Sequence, residues 1–228
     1  MVLDPFGGCG TTVVESKVMG RNSIGVDIND VAILIAKAKS RAINPRILEE
    51  RNLELLKRIE QKMRFPENLY DEAHPRLKYW FKRKQFNQLN VIYKQIMKES
   101  NESLKVFYSC CFSDILKPCS IWFAKSIKPM KDLTKKQPSV YIAFKKHLLF
   151  MTRQNTEFFN FLKNKEYPVT DAKLMKGDAR RLDLPNSSVD LVVTSPPYAT
   201  SYEYADVHQL SILWFKFSDN LLEFKKIS

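Results

Sequence analysis

Histidine is scarce in this 228-residue chain, with three residues, and glycine nearly so, with six. The four cysteines, Cys9, Cys110, Cys111 and Cys119, form no Cys-x-x-Cys pair. Ligands this sparse exclude a zinc site of the usual spacing, and the cysteine pattern argues against a disulfide framework. Long hydrophobic runs are also missing. The longest, Val31 to Ala36, is far short of the roughly 20 residues that cross a bilayer. Met1-Val2-Leu3-Asp4 opens on neither a charged nor an extended apolar segment, so no signal peptide is expected. The expectation is a soluble, cytoplasmic protein with no membrane and no metal partner. Gly-x-Gly-x-x-Gly is absent, and so is the Gly-Lys-Ser/Thr that holds a triphosphate. What is present suffices for a core: 44% hydrophobic residues and 12% aromatics rule out global disorder. The length fits one domain carrying a large insertion.

Charge is unevenly placed. The chain holds 37 Lys+Arg against 25 Asp+Glu, a formal +12. From Arg76 to Arg153 stand 17 of those bases and only 4 of those acids, which leaves the remainder close to neutral. A purely solubilising charge would be spread out, so this asymmetry points to a polyanion, nucleic acid ahead of a membrane surface or an acidic protein. Tyr79, Trp80, Phe86, Tyr93, Phe107, Trp122 and Tyr141 are interleaved with the bases. Most are expected in the core of a helical insert with a lysine-rich exterior.

The pattern along the chain supports that division. Met1–Asp4 reads as a strand, Pro5–Gly10 as a glycine-rich turn, Thr11–Met19 as a helix and Asn22–Asp27 as a second strand. Asn29 or Asp30 caps a following helix that stops before Pro45. From 46 to 166 the texture changes. Ile47–Met63 and Leu77–Met97 show helical spacing, Phe107–Trp122 reads as a more apolar buried helix, the Pro- and Lys-rich Ser126–Ser139 as a loop, and Val140–Lys163 as a last helix. Strand patterns return at Lys173–Lys176 and, as a buried strand, at Asp190–Thr194, before a closing helix at Tyr202–Phe217. The core is thus 1–45 with 167–228, and the basic helical insertion is 46–166.

Two motifs carry chemistry. Asp4-Pro5-Phe6-Gly7-Gly8-Cys9-Gly10-Thr11 joins a strand to a helix, where a parallel sheet places its ligand crevice. Gly8 and Gly10 permit a sharp turn and close approach to a ligand. Asp27, at the tip of the second strand, is placed to accept from ribose hydroxyls, and Asp178, at the third, from an adenine amino group. A glycine turn with acids on successive strand tips, and no phosphate grip, suits S-adenosylmethionine. Each acid alone has a plainer reading as a helix cap or turn former.

Thr194-Ser195-Pro196-Pro197-Tyr198 follows the last strand. Two prolines fix φ and forbid helix, which holds the Ser195 hydroxyl and the Pro196 carbonyl in set directions beside the Tyr198 ring. Methylation of an exocyclic amine needs such a grip, because the lone pair is delocalised into the base. Acceptors for the amine hydrogens stabilise charge developing on that nitrogen, and an aromatic face holds an extruded base. The plainer alternative is a strand-ending Pro-Pro turn.

Together the two motifs resemble those of the amino-group DNA methyltransferases, which make N4-methylcytosine or N6-methyladenine. The resemblance covers about 1–39 and 173–217. It implies a Rossmann-like S-adenosylmethionine-dependent fold, with Asp4, Phe6, Gly8, Gly10, Thr11, Asp27, Ile28, Asp178 and Ala179 at the cofactor, and Ser195, Pro196, Pro197 and Tyr198 at the target base. Serine at the first catalytic position is similar to the N4-cytosine branch. It implies DNA as partner and a place in a restriction-modification system. An RNA or protein amino-methyltransferase, or an inactive DNA-binding remnant, stays open beside it. Pro118-Cys119 is similar to the nucleophile dipeptide of cytosine-C5 enzymes, but Ser120 follows and Cys119 falls in a helical pattern, so a buried structural thiol is expected.

The family has about seven strands, and four are legible here. Right-handed connections give them the order 3-2-1-4, an incomplete sheet with the Asp190–Thr194 strand at its edge. The expectation is half an enzyme, whose missing strands come from a second polypeptide or a lost continuation.

Overall fold

The computed structural model describes residues 1–123, 125–126, 128–167, 170–197 and 204–218. Four parallel strands form its sheet: β1 (Val2–Asp4), β2 (Ser23–Asp27), β3 (Ala172–Lys176) and β4 (Leu191–Val192), in the order β3-β2-β1-β4. That is the order deduced from connection handedness. Asp4 aligns with Gly25, and Asp27 with Lys176, so the strand tips lie side by side.

Between β1 and β2 runs α1 (Thr11–Val18), and after β2 comes α2 (Asp30–Ser40). Asn29 caps α2 by accepting from the Val31 N–H, and its own N–H donates to Asp27, which fixes how the helix leaves the strand tip. The sheet's other face buries Leu3, Ile24 and Val26 under Leu182, Leu184 and Val189 of the β3–β4 connection.

The insertion consists of α3 (Pro45–Met63), α4 (Pro75–Trp80), α5 (Arg83–Met97), α6 (Glu102–Cys119) and α7 (Val140–Lys163). The apolar period over Leu77–Met97 predicts one helix, but the chain turns extended at Phe81 and makes two. Tertiary partners replace the lost helical bonds: Tyr70 Oη lies 3.1 Å and 3.2 Å from the Lys78 and Phe81 carbonyls, and Ile121 N–H donates to Trp80 O at 2.9 Å. The break lets Trp80 stack on Trp122 with centroids 4.9 Å apart while Phe81 enters the same core.

The closing helix, α8 (Tyr204–Trp214), buries Leu210, Leu213 and Trp214 in the insertion's core, with Trp214 against Phe81, Phe86 and Phe112. A chain segment following the sheet is therefore mounted on the insertion. Cys119 is fully buried, and burial pushes its thiol up to about 12, as befits a structural thiol. Among the described residues no helix is long and apolar enough to cross a membrane, and no cluster of His, Cys, Asp and Glu could hold a metal.

The expectation of a buried last strand is corrected. β4 is two residues long, and Leu191, Val192 and Val193 are 54%, 55% and 45% exposed. β1 covers one side of the strand, and nothing among the described residues pairs with the other. An apolar open edge of this kind is a template for further strands.

Candidate active site

The tip of β1 organises the site. Asp4 is 5% exposed, and its Oδ1 accepts from Phe6 N–H at 3.1 Å and from Thr194 Oγ1 at 2.7 Å. One buried carboxylate thus fastens the glycine turn to the residue preceding Ser195. The two motifs, 190 residues apart, meet at this bond. Asp4 acts here as a strut between loops, a role sequence reasoning did not separate from ligand binding.

Gly8 and Gly10 divide the work differently from the sequence expectation. Gly8 has φ +48°, and a Cβ there would meet open space, its nearest neighbour being Phe6 O at 3.8 Å. Gly8 is therefore free to let a ligand approach the backbone. Gly10 has φ +80°, but its Cβ would lie 2.7 Å from Ala36 Cβ and 2.8 Å from Ala36 Cα. Gly10 serves the packing of the turn on α2. Phe6, 38% exposed, presents its ring to solvent beside Gly8, and Thr11 is exposed at the start of α1.

At the tip of β2 the Asp27 carboxylate accepts from Gly8 N–H through Oδ2 and from Asn29 N–H through Oδ1, both at 2.8 Å. Each oxygen keeps a further lone pair for a hydroxyl. Ile28 beside it is half-buried. Gly177 N–H donates to Asp27 O at 3.0 Å, which brings the β3 tip alongside. There Asp178 is engaged by Arg180, whose Nε lies 2.9 Å from Oδ1 and Nη2 2.5 Å from Oδ2, while Ala179 is half-buried between them. Hydrogen bonds from that guanidinium hold the Asp178 carboxyl at about 2. A ligand amine would have to share this carboxylate with Arg180.

Thr194, Ser195, Pro196 and Pro197 are all exposed on the open side of the sheet. Tyr198, the expected stacking residue, lies outside the described residues.

A cleft of about 860 Å³ is lined by residues of α1, α2, α6, α7 and α8. Thr11, Val14 and Ile35 form one wall; Phe107, Phe150 and His208 belong to the other. Of the sequence-predicted site residues, Thr11 reaches it. His208, on α8, escaped sequence reasoning, since a lone histidine in a helix carries no pattern. Burial lowers its pKa, and the charge of Asp27 partly offsets that effect. In the sequence Thr194 is only the residue before Ser195; in the fold its hydroxyl donates to Asp4.

Residues 1–38 match the family model described as DNA methylase. The chain is 27% identical over 229 residues to the Type II methyltransferase M.MvaI of Kocuria varians, an alignment covering 92% of this chain and 50% of that protein. It is 38% identical over 72 residues to the Type II methyltransferase M.MjaII of Methanocaldococcus jannaschii, covering 32% of this chain and 13% of that protein. The chain thus spans half the length of the first relative and less of the second. No solved structure matches.

Proposed function

We propose that this chain, a member of the amino-group DNA methyltransferase family, supplies the cofactor turn and the target-amine turn of a Rossmann-like, S-adenosylmethionine-dependent enzyme acting on DNA. The single observation that carries the reading is the 2.7 Å bond from Thr194 to Asp4, which holds the two turns together at one sheet edge.

The residues present fit the cofactor. Gly8 leaves room where a Cβ would stand, Phe6 offers an exposed ring, and Asp27 offers lone pairs beyond those its backbone partners use. Phe6, Gly8, Thr11, Asp27 and Ile28 would hold the nucleoside, with Asp178 and Ala179 at its base. When bound, S-adenosylmethionine supplies an electrophilic methyl group on a sulfonium. The chain's own part is to grip the acceptor. The Ser195 hydroxyl and the Pro196 carbonyl accept from the amine hydrogens, which lends the nitrogen pyramidal character and stabilises its developing positive charge. Pro197 keeps the turn rigid, and Tyr198 stacks on the extruded base. Serine rather than aspartate at position 195 favours cytosine N4 over adenine N6.

The insertion, 46–166, would follow the DNA backbone with its excess of lysine and arginine and serve target recognition. The open β4 edge would be completed by strands of a second polypeptide. A matching methyltransferase activity would belong to a Type II restriction-modification system.

The test is equilibrium binding of S-adenosylmethionine to the purified chain, followed by labelled-methyl transfer to duplex DNA, RNA and protein. Transfer is measured with and without a polypeptide corresponding to the unmatched half of M.MvaI. Binding abolished by Gly8→Asp, with transfer to DNA alone, supports the reading. Absence of cofactor binding in both mixtures, or transfer confined to RNA or protein, refutes it.

A further inference from the structure

Besides the apolar side chains that bury it in the insertion, α8 carries one buried polar residue bonded to α4. Gln209 is 1% exposed. Its Oε1 accepts from Trp80 Nε1 at 3.0 Å and from Arg76 Nε at 3.2 Å, both on α4, while its Nε2 donates to Asp206 O at 3.0 Å. The donor bond orients the amide on its own helix, so that its buried oxygen ties α8 to two donors of α4. The adjacent residue, His208, faces the cleft that begins at Thr11 and lies within the field of Asp27.

At the other end of this link the same α4 residues reach the surface. The Arg76 guanidinium sits 5.2 Å from the centroid of the Tyr79 ring, and Lys131 Nζ sits 3.3 Å from it, so two cations share one half-exposed aromatic. This platform lies within the segment that carries the chain's positive excess. A polyanion that engages Arg76 and Lys131 contacts the same guanidinium whose Nε bonds Gln209.

We infer that Gln209 is a positioning residue coupling nucleic-acid contact at the Arg76–Tyr79–Lys131 platform to the cofactor site, with α8 and His208 as the link. This rests on the proposed function for both ligands. Because coupling between two sites is reciprocal, duplex DNA must change the affinity for S-adenosylmethionine by the factor with which the cofactor changes the affinity for DNA.

The experiment titrates the full chain with S-adenosylmethionine by calorimetry, with and without a saturating mixed-sequence duplex. It is repeated for Gln209→Leu, which removes the acceptor, and for Gln209→Glu, which keeps it. The expected result is an affinity change of about fivefold or more on adding duplex to the wild type. Gln209→Leu loses that change while each ligand still binds alone, and Gln209→Glu restores it. Trp80→Phe deletes the buried indole donor while leaving Arg76 on the platform, and is expected to weaken the coupling likewise, should Gln209→Leu fail to fold. A wild type that binds both ligands with no mutual effect overturns the coupling alone, and so does a Gln209→Leu chain that keeps the full effect. A wild type that fails to bind one of the ligands even with the completing polypeptide present overturns the functional reading together with this inference.

Discussion

Replacing Gly10 and Gly8 by alanine separates a packing glycine from a ligand-facing one. Both sit in left-handed backbone, φ +80° and +48°, where an L-residue pays about 1–2 kcal/mol. Only at Gly10 does the new methyl also collide, at 2.7 Å and 2.8 Å from Ala36 Cβ and Cα. These atoms belong to a helix packed on the turn and cannot swing aside. Overpacking of this kind adds about 1–3 kcal/mol. Gly10→Ala is therefore less stable than Gly8→Ala by about 1–3 kcal/mol, roughly 2–12 °C in Tm for a chain of this length. Scanning calorimetry of both variants measures the gap. Affinity for S-adenosylmethionine is expected to run the other way at equal folded fraction, with Gly8→Ala weakened about tenfold or more and Gly10→Ala affected less. Equal melting temperatures, or a Gly8→Ala chain that binds cofactor normally, would refute the division of roles.

Thr194→Val removes the hydroxyl from Asp4 Oδ1 and leaves a buried carboxylate underbonded, a loss of about 1–3 kcal/mol. Urea titration reads it, and Thr194→Ser, which keeps the donor, should restore most of it. Burial by itself would raise the Glu99 carboxyl, but bonds from Asn101 N–H and from the Arg51 guanidinium, at 2.9 Å to both oxygens, outweigh it and leave the group below its ordinary value. A depressed folded-state value means that its stabilisation is complete above the unfolded carboxylate range, near 4.3, and is lost as pH falls through the folded value. Tm measured from pH 7 down to pH 3 should drop, with a shallower slope in Glu99→Gln; an unchanged slope would discount this pair. Arg76→Met with Lys131→Met should lower the slope of log affinity for duplex DNA against log salt by about 2, if both side chains contact phosphate. An unchanged slope would place the backbone contacts elsewhere. Val192→Lys, on the open strand, should leave the chain folded yet block assembly with a strand-donating polypeptide, as read by analytical ultracentrifugation.

Much of the core was legible because its signals are local. The glycine turn must follow a strand, Asn29 must cap a helix that starts on an apolar run, and right-handed connections leave 3-2-1-4 as the strand order. The helix expected over Val140–Lys163, after the Pro- and Lys-rich loop, has those same ends in the structure. The split at Phe81 was not readable. Its apolar spacing continues unbroken, and the partners that make the break favourable, Tyr70 and Ile121, come from other parts of the chain. The edge position of the last strand follows from the strand order, but its burial was misjudged for a related reason. Leu191-Val192-Val193 has the composition of a strand covered on both sides, but coverage is a property of neighbours and not of the strand itself.

The candidate site divides along the same line. The sequence alone offered candidates for holding a nucleoside and for gripping an amine, from glycine, acid and proline chemistry at short spacing and from the family resemblance. Tertiary structure decided what each residue does. It made Asp4 a strut, gave Gly10 to helix packing, engaged Asp178 with Arg180, and mounted the helix after the second motif on both the insertion and α2. Spacing along a chain specifies the chemistry a segment can offer. Which of its groups are already taken depends on atoms brought close by folding from more than a hundred residues away.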